Sequence, residues 1–242
     1  ISGKEAQKRY VKTSISGDNG LLELHYDKCP TDTAGNLVDV TVSISLSKSS
    51  KYSLWNISIK NAGAFKLGEV RFPVLSGLGS TRKGTEKTDY TVYPFFSGIK
   101  GANPRSSSPF TQGMTDYPGP GCSVQVMAYC DGLQKDALML STLDNDGYRK
   151  NYESFPMSSG KSFTWQVIHF PDGNMDNGQW QSPYPNAVAA LSGDWYDAAK
   201  MYRNWLSDQT RWRPIVKRTE MPDWIKNLSV WWQGQEWDPK KD

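Results

Sequence analysis

The sequence predicts an all-β dominated fold, an antiparallel β-sandwich followed by one connecting helix and one apolar strand that has no partner. Three observations support this prediction. Between residues 20 and 170 the apolar residues recur mainly at every second position, as in strands with one buried face. A single helical apolar stripe begins after Ser192, and residues 228–232 then form an apolar run typical of a buried parallel strand.

The clearest strand is predicted at residues 37–47, where polar residues alternate with an apolar face of Val38, Val40, Val42, Ile44 and Leu46. Residues 55–59 repeat the alternation after a polar turn, so the two segments are predicted to form a hairpin. Further strands are predicted at residues 21–26, 69–75, 89–95, 123–129, 137–143 and 163–170.

Two segments between these strands are predicted to be loops. Residues 98–120 carry four Pro and four Gly and predict a long surface loop, which is either a simple connection or part of a neighbouring domain's wall. Residues 144–147 predict a hairpin loop.

The helix is predicted at about residues 194–209, because Asp194 can cap its first turn and Asp197 complements the helix dipole there. The apolar stripe of this helix must be covered by the sandwich or by a following domain. The stripe comprises Trp195, Ala198, Ala199, Tyr202, Trp205 and Leu206. The predicted domain division is a sandwich at 1–188, a linker at 189–222 and the start of another domain at 223–242.

Composition excludes several classes of partner. The net charge is +3 and the 28 Lys and Arg residues are scattered, so no nucleic-acid surface is expected. No run of eighteen apolar residues exists, so no membrane span is expected. The odd number of cysteines leaves at least one thiol unpaired, and we expect reduced or buried thiols at Cys29, Cys122 and Cys130.

Candidate chemistry within the chain is sparse. His25 and His169 have no Cys, Asp or Glu at a ligand spacing, so a structural or surface role is expected. Residues 172–178 place oxygen ligands at alternate positions, as calcium-binding loops do. Asp172, Asn174 and Asp176 are therefore weak candidates for calcium ligands. A polar turn is favoured there because the Gly comes one place late and no Glu closes the loop. No cofactor is expected otherwise, because phosphate-loop, serine-elbow and paired-cysteine motifs are missing from the sequence.

Three segments resemble one enzyme group. The first is Tyr117-Pro118-Gly119 with residues 122–129, and the second is residues 131–144 with the turn Gly147-Tyr148-Arg149-Lys150. The third is residues 193–205 followed by Met221-Pro222-Asp223-Trp224. They resemble the α-galactosidase-like and related bacterial glycoside hydrolases, in which a galactose-mutarotase-like β-supersandwich and a linker helix precede a (β/α)8 catalytic barrel.

The resemblance implies hydrolysis of glycosidic bonds by two carboxylates on the barrel loops. This chain would contain only the first barrel strand, severed from its sheet, so we expect the fragment to be inactive alone. At the end of that strand the candidate sugar contacts are Gln235, Glu236, Trp237 and Asp238, with Trp237 stacking on a ring and a carboxylate binding hydroxyls. The alternative is a frayed chain end.

The leading hypothesis is a non-catalytic front domain that packs on the barrel and shapes one rim of its sugar cleft, with carbohydrate bound through the barrel. The resemblance implies a secreted, periplasmic or cell-surface protein. The alternative is a free-standing carbohydrate-binding or adhesion module, in which Trp180, Tyr184 and Trp237 would face solvent. A structural domain of a surface assembly is a third hypothesis. Mutarotase activity is not expected, because no pair of histidines with a glutamate matches that motif.

Overall fold

The computed structural model describes residues 8–31, 36–61, 67–80, 82–95, 98–106, 116–119, 121–171, 178–209 and 219–227. The strands are β1 (Lys8–Ser16), β2 (Asn19–Pro30), β3 (Leu37–Ser47), β4 (Ser53–Asn61), β5 (Val70–Leu78), β6 (Tyr90–Tyr93), β7 (Ile99–Ala102), β8 (Asp116–Tyr117), β9 (Val126–Cys130), β10 (Asp136–Thr142), β11 (Lys150–Pro156), β12 (Phe163–His169), β13 (Gln179–Gln181) and β14 (Asn186–Ser192). The helices are α1 (Trp195–Ser207) and α2 (Asp223–Lys226).

The described strands form two antiparallel sheets. The larger sheet has the order β1-β2-β3-β4-β14-β10-β9-β6-β7, with β13 also paired to β4. The smaller sheet has the order β5-β12-β11-β8. Their packing is an all-β sandwich, which confirms the predicted fold class.

The core between the sheets follows from the alternation of side chains along the central strands. Met127 and Tyr129 on β9 face the smaller sheet, where the Tyr129 ring meets Phe163 edge-on at 4.8 Å between centroids. The Trp165 indole also lies in this core and donates a hydrogen bond of 2.9 Å to the Tyr93 hydroxyl. Large aromatic side chains therefore fill the interior with their polar ends paired.

Helix α1 covers the opposite face of the larger sheet. It contacts β9 and β10, and the sheet presents small side chains to it, at Ala128, Ala137, Ala187 and Ala189. Ala198 and Tyr202 of the helix are buried on this surface. The predicted cap is confirmed, because the Asp194 carboxylate accepts from the Tyr196 amide and Asp197 accepts from the Asp194 amide.

Most strand predictions are confirmed. The β3–β4 hairpin is present, and each further predicted segment overlaps a strand with shifted ends. All three cysteines are buried free thiols. Two loop predictions need correction. Residues 98–120 contain β7 and β8, and residues 144–147 join β10 to β11, which lie in different sheets and do not form a hairpin.

Candidate functional site

Several predicted site residues lie outside the described part of the chain. These are the predicted barrel strand at 228–232, the sugar-contact candidates Gln235, Glu236, Trp237 and Asp238, and the calcium candidates Asp172, Asn174 and Asp176. Among the residues that the structure describes, no group of three or more His, Cys, Asp and Glu side chains could hold a metal ion. Within the same residues, neither helix has the length and apolar composition needed to cross a membrane.

Two of the three aromatic residues proposed as a solvent-facing platform, Trp180 and Tyr184, are buried, and the third, Trp237, lies outside the described residues. Trp180 is 9% exposed and Tyr184 is 5% exposed. The Tyr184 hydroxyl lies 2.8 Å from Nδ1 of His169, and Nε2 of His169 lies 2.6 Å from the carbonyl oxygen of Phe72. Since only a protonated Nε2 can donate to that carbonyl, Nδ1 of the neutral ring accepts from Tyr184. Burial lowers the pKa of His169 to about 4, so the ring is neutral at physiological pH.

The turn after β10 carries a buried ion pair. Lys150 is 0% exposed, and its Nζ lies 2.5 Å from Oδ2 of Asp144 and 2.9 Å from Oε1 of Gln125. The Asp144 carboxylate also accepts from three consecutive backbone amides, those of Asp146, Gly147 and Tyr148. The left-handed φ of +78° at Gly147 lets the backbone close around the carboxylate.

This ion pair has a structural role. Burial lowers the pKa of Lys150 to about 8, while the Asp144 charge opposes that shift. The ammonium also lies 4.6 Å from the centre of the Tyr117 ring and 4.2 Å from that of Tyr184, so aromatic faces close the site. A substrate cannot reach a side chain enclosed in this way. The contacts of this Asp144 cluster connect the segment before β9, the turn after β10, the start of β11 and the segment before β14.

Two further buried carboxylates are neutralised by arginines. Asp89 accepts hydrogen bonds from Arg105, Tyr129 and Ser80, and Asp131 accepts from Arg82. Burial raises the pKa of each carboxyl, but hydrogen bonds outweigh it and hold both pKa values below their usual range. Both groups are therefore ionised at neutral pH and unsuited to act as a general acid.

A polar groove runs along one face of the larger sheet. Its volume is about 1090 Å³, and we call it the polar groove. One side is formed by β1 to β4 and β13, with Asp27, Asp39, Lys60, Gln179 and Gln181 among its lining side chains. The other side is formed by Tyr148 and Arg149, by residues 169–171 and by residues 183–184.

A bulge in β2 shapes the rim of the polar groove. The pairing of β2 with β3 shifts between Tyr26 and Cys29, and Lys28 adopts a left-handed φ of +55°. The Lys28 amide donates to Oδ1 of Asp39 at 2.8 Å, which holds this uncommon conformation. The bulge thereby orients the β2 side chains that border the groove.

Both histidines line the polar groove, which sequence spacing did not reveal. His25 stacks on Tyr10 with the ring centres 4.4 Å apart and the planes 7° apart, and its Nδ1 lies 3.2 Å from the Thr41 hydroxyl. Both nitrogens of His169 are already bonded.

A smaller apolar groove lies beside the start of α1. Its volume is about 220 Å³, and its lining includes Val92, Val126, Ala128, Trp195 and Ala198. Trp195 belongs to the predicted stripe but remains 43% exposed. The sandwich therefore covers the middle of the helix, whereas its first turn keeps a large aromatic surface in solvent.

Comparisons with known proteins support the fold. This chain superposes on the Gal-NHAc-DNJ complex of α-N-acetylgalactosaminidase NagBb from Bifidobacterium bifidum with a TM-score of 0.69 and 15% sequence identity. The GalNAc complex gives a TM-score of 0.68 at 14% identity. Each match covers 90% of this chain and 33% of that enzyme. The galactosidase domain of the α-galactosidase-sucrose kinase AgaSK matches with a TM-score of 0.52 at 8% identity. This match covers 84% of this chain and 30% of the AgaSK chain.

The sequence comparison reaches a shorter stretch. A protein of Monosiga brevicollis named "Putative glycoside hydrolase 22789" is 28% identical over 123 residues, which is 48% of this chain and 10% of that protein. No protein-family model matches the chain. The chain thus spans about a third of the solved enzymes it matches and a tenth of the curated relative. At these identities the solved structures establish the β-sandwich fold.

Proposed function

We propose that this chain is a non-catalytic β-sandwich domain of a glycoside hydrolase, and that it packs against a catalytic domain supplied by the rest of the protein. The main support is the fold match to NagBb, which takes in 90% of this chain yet leaves two-thirds of that enzyme outside the match. The local similarity to the Monosiga brevicollis protein supports the same assignment.

The docking surface in this proposal is the uncovered first turn of α1 together with the apolar groove. Trp195 and Tyr196 are 43% and 55% exposed, and their rings lie edge-on with centroids 5.9 Å apart. Paired exposed aromatics beside an apolar groove are typical of surfaces that bury against another domain. The occupant we propose is the catalytic domain, because the fold match to NagBb leaves two-thirds of that enzyme to pack beside the matched part.

The described residues support a non-catalytic role. Among them, the buried carboxylates Asp89, Asp131 and Asp144 each bind a cation. Hydrolysis of a glycosidic bond requires two carboxyl groups that flank the bond, one of them protonated. We therefore propose that the catalytic carboxylates belong to the rest of the protein.

The docking surface is tested by comparing one substitution in two settings. We expect Trp195→Ala to lower the thermal stability of the complete gene product more than that of the 242-residue chain, because only the former contains the partner domain. Phe155→Ala, on the exposed side of β11, is the matched control and should affect both proteins equally. An equal loss in both proteins for Trp195→Ala would refute this docking surface.

A further inference from the structure

We propose that the polar groove binds a neutral oligosaccharide. This inference goes beyond the proposed function, and it holds whether or not α1 docks on another domain. Ligand sites are concave and usually enclose about 300–1000 Å³. The groove, at about 1090 Å³, has room for an extended ligand of several sugar rings.

The hydrogen-bonding groups of the groove suit hydroxyl-rich ligands. Gln179 and Gln181 lie at alternate positions on β13, both are exposed, and Trp180 between them points into the core. They pair with Lys60 and Ser58 of β4, which also line the groove. A side-chain amide both donates and accepts, so such a row can bind successive hydroxyls along a glycan.

The charges of the groove balance. Asp27 and Asp39 contribute two carboxylates, and Lys60 and Arg149 contribute two cations. The Arg149 guanidinium lies 4.7 Å from the centre of the Phe170 ring, which fixes one of these cations at the groove wall. A phosphate-rich or polyanionic ligand would meet both carboxylates, whereas a neutral ligand can accept hydrogen bonds from the cations and donate them to the carboxylates.

Tyr148 supplies an aromatic surface for sugar stacking. Its side chain is 49% exposed and lies in the groove wall, and its ring centre is 5.9 Å from that of buried Tyr184. The adjacent Asp144 carboxylate accepts the Tyr148 amide at 2.6 Å, so the backbone that presents this ring is fixed. Because a tyrosine side chain has few rotatable bonds and this backbone is fixed, little entropy is lost when a ligand covers the ring.

The test is isothermal titration calorimetry on the full chain. The neutral probes are maltotetraose, cellotetraose, xylotetraose, mannotetraose, chitotetraose and galactotetraose, and the charged probe is tetragalacturonate. We expect at least one neutral probe to bind with a Kd below about 1 mM. We also expect Tyr148→Ala and Gln181→Ala each to weaken that binding by about tenfold, as for truncation of central contacts.

Phe155→Ala, which truncates an exposed aromatic side chain on β11 outside the groove, is the matched control and should leave the Kd unchanged. Thermal unfolding verifies that each variant is folded, and Gln181→Ala decides the outcome if Tyr148→Ala does not fold. The proposal is overturned if no neutral probe binds, if only tetragalacturonate binds, or if the groove variants bind as tightly as Phe155→Ala. These outcomes leave the docking test unaffected, because that test does not depend on a ligand.

Discussion

Replacing Lys150 with methionine tests the assignment of the Asp144 cluster as a structural element. The ammonium and the carboxylate lie 2.5 Å apart with side chains 0% and 1% exposed. Their attraction is about 7 kcal/mol at an effective dielectric constant of about 20, and desolvation of both groups offsets much of it. Removing one partner leaves the Asp144 charge buried without a counter-ion, which costs about 3–5 kcal/mol.

The measurement is the free energy of unfolding from urea denaturation at neutral pH. Lys48→Met is the matched control, because Lys48 lies 2.6 Å from Asp18 in a pair whose side chains are 77% and 70% exposed. Such surface pairs contribute about 0–1 kcal/mol. If Lys150→Met and Lys48→Met destabilise the chain by similar amounts, then the buried pair does not hold the sheets together as described.

Four further outcomes are expected. Because the pKa of His169 falls from 6.5 when unfolded to about 4 when folded, the unfolded state binds more protons in that window. Stability should therefore fall by about 3 kcal/mol as the pH falls from 6.5 to 4, and His169→Gln should flatten this dependence in acid titrations. Asp194→Ala should cost about 1 kcal/mol in urea denaturation through loss of the α1 cap. Ala137→Leu should lower the free energy of unfolding by about 1–3 kcal/mol, because Ala137 is buried on β10 beneath α1 and the larger side chain overpacks that contact; a lower melting temperature would show this. Burial raises the thiol pKa of Cys122 to about 12 and of Cys130 to about 11, so a thiol reagent at pH 8 should modify them only after unfolding.

The strands that could be predicted from the sequence have apolar residues at their buried positions. On β3, Val38 and Val42 are buried, and the polar residues between them follow a regular alternation. Strands β11 and β14 escaped prediction because polar or small residues occupy their buried positions. Lys150 and Ser154 are buried on β11, and Asn186 is buried on β14. Local hydrophobic periodicity cannot indicate a buried lysine whose counter-ion lies on another segment.

The polar groove could not be predicted for a related reason. Its walls combine Tyr10 and His25 with Tyr148 and Gln181, residues that are distant in sequence and meet only through the sheet order. The helix could be predicted in detail, because its cap and its stripe are local features.

We propose that this chain is an accessory domain of a glycoside hydrolase, and a hydrolysis assay tests this proposal most directly. The 242-residue chain and the complete open reading frame that encodes it should be assayed in parallel against aryl glycosides, including α-galactosides and α-N-acetylgalactosaminides. We expect the longer protein to release the aryl group and the chain alone to release none. Hydrolysis by the chain alone, or a complete protein without activity on any glycoside of the panel, would contradict it.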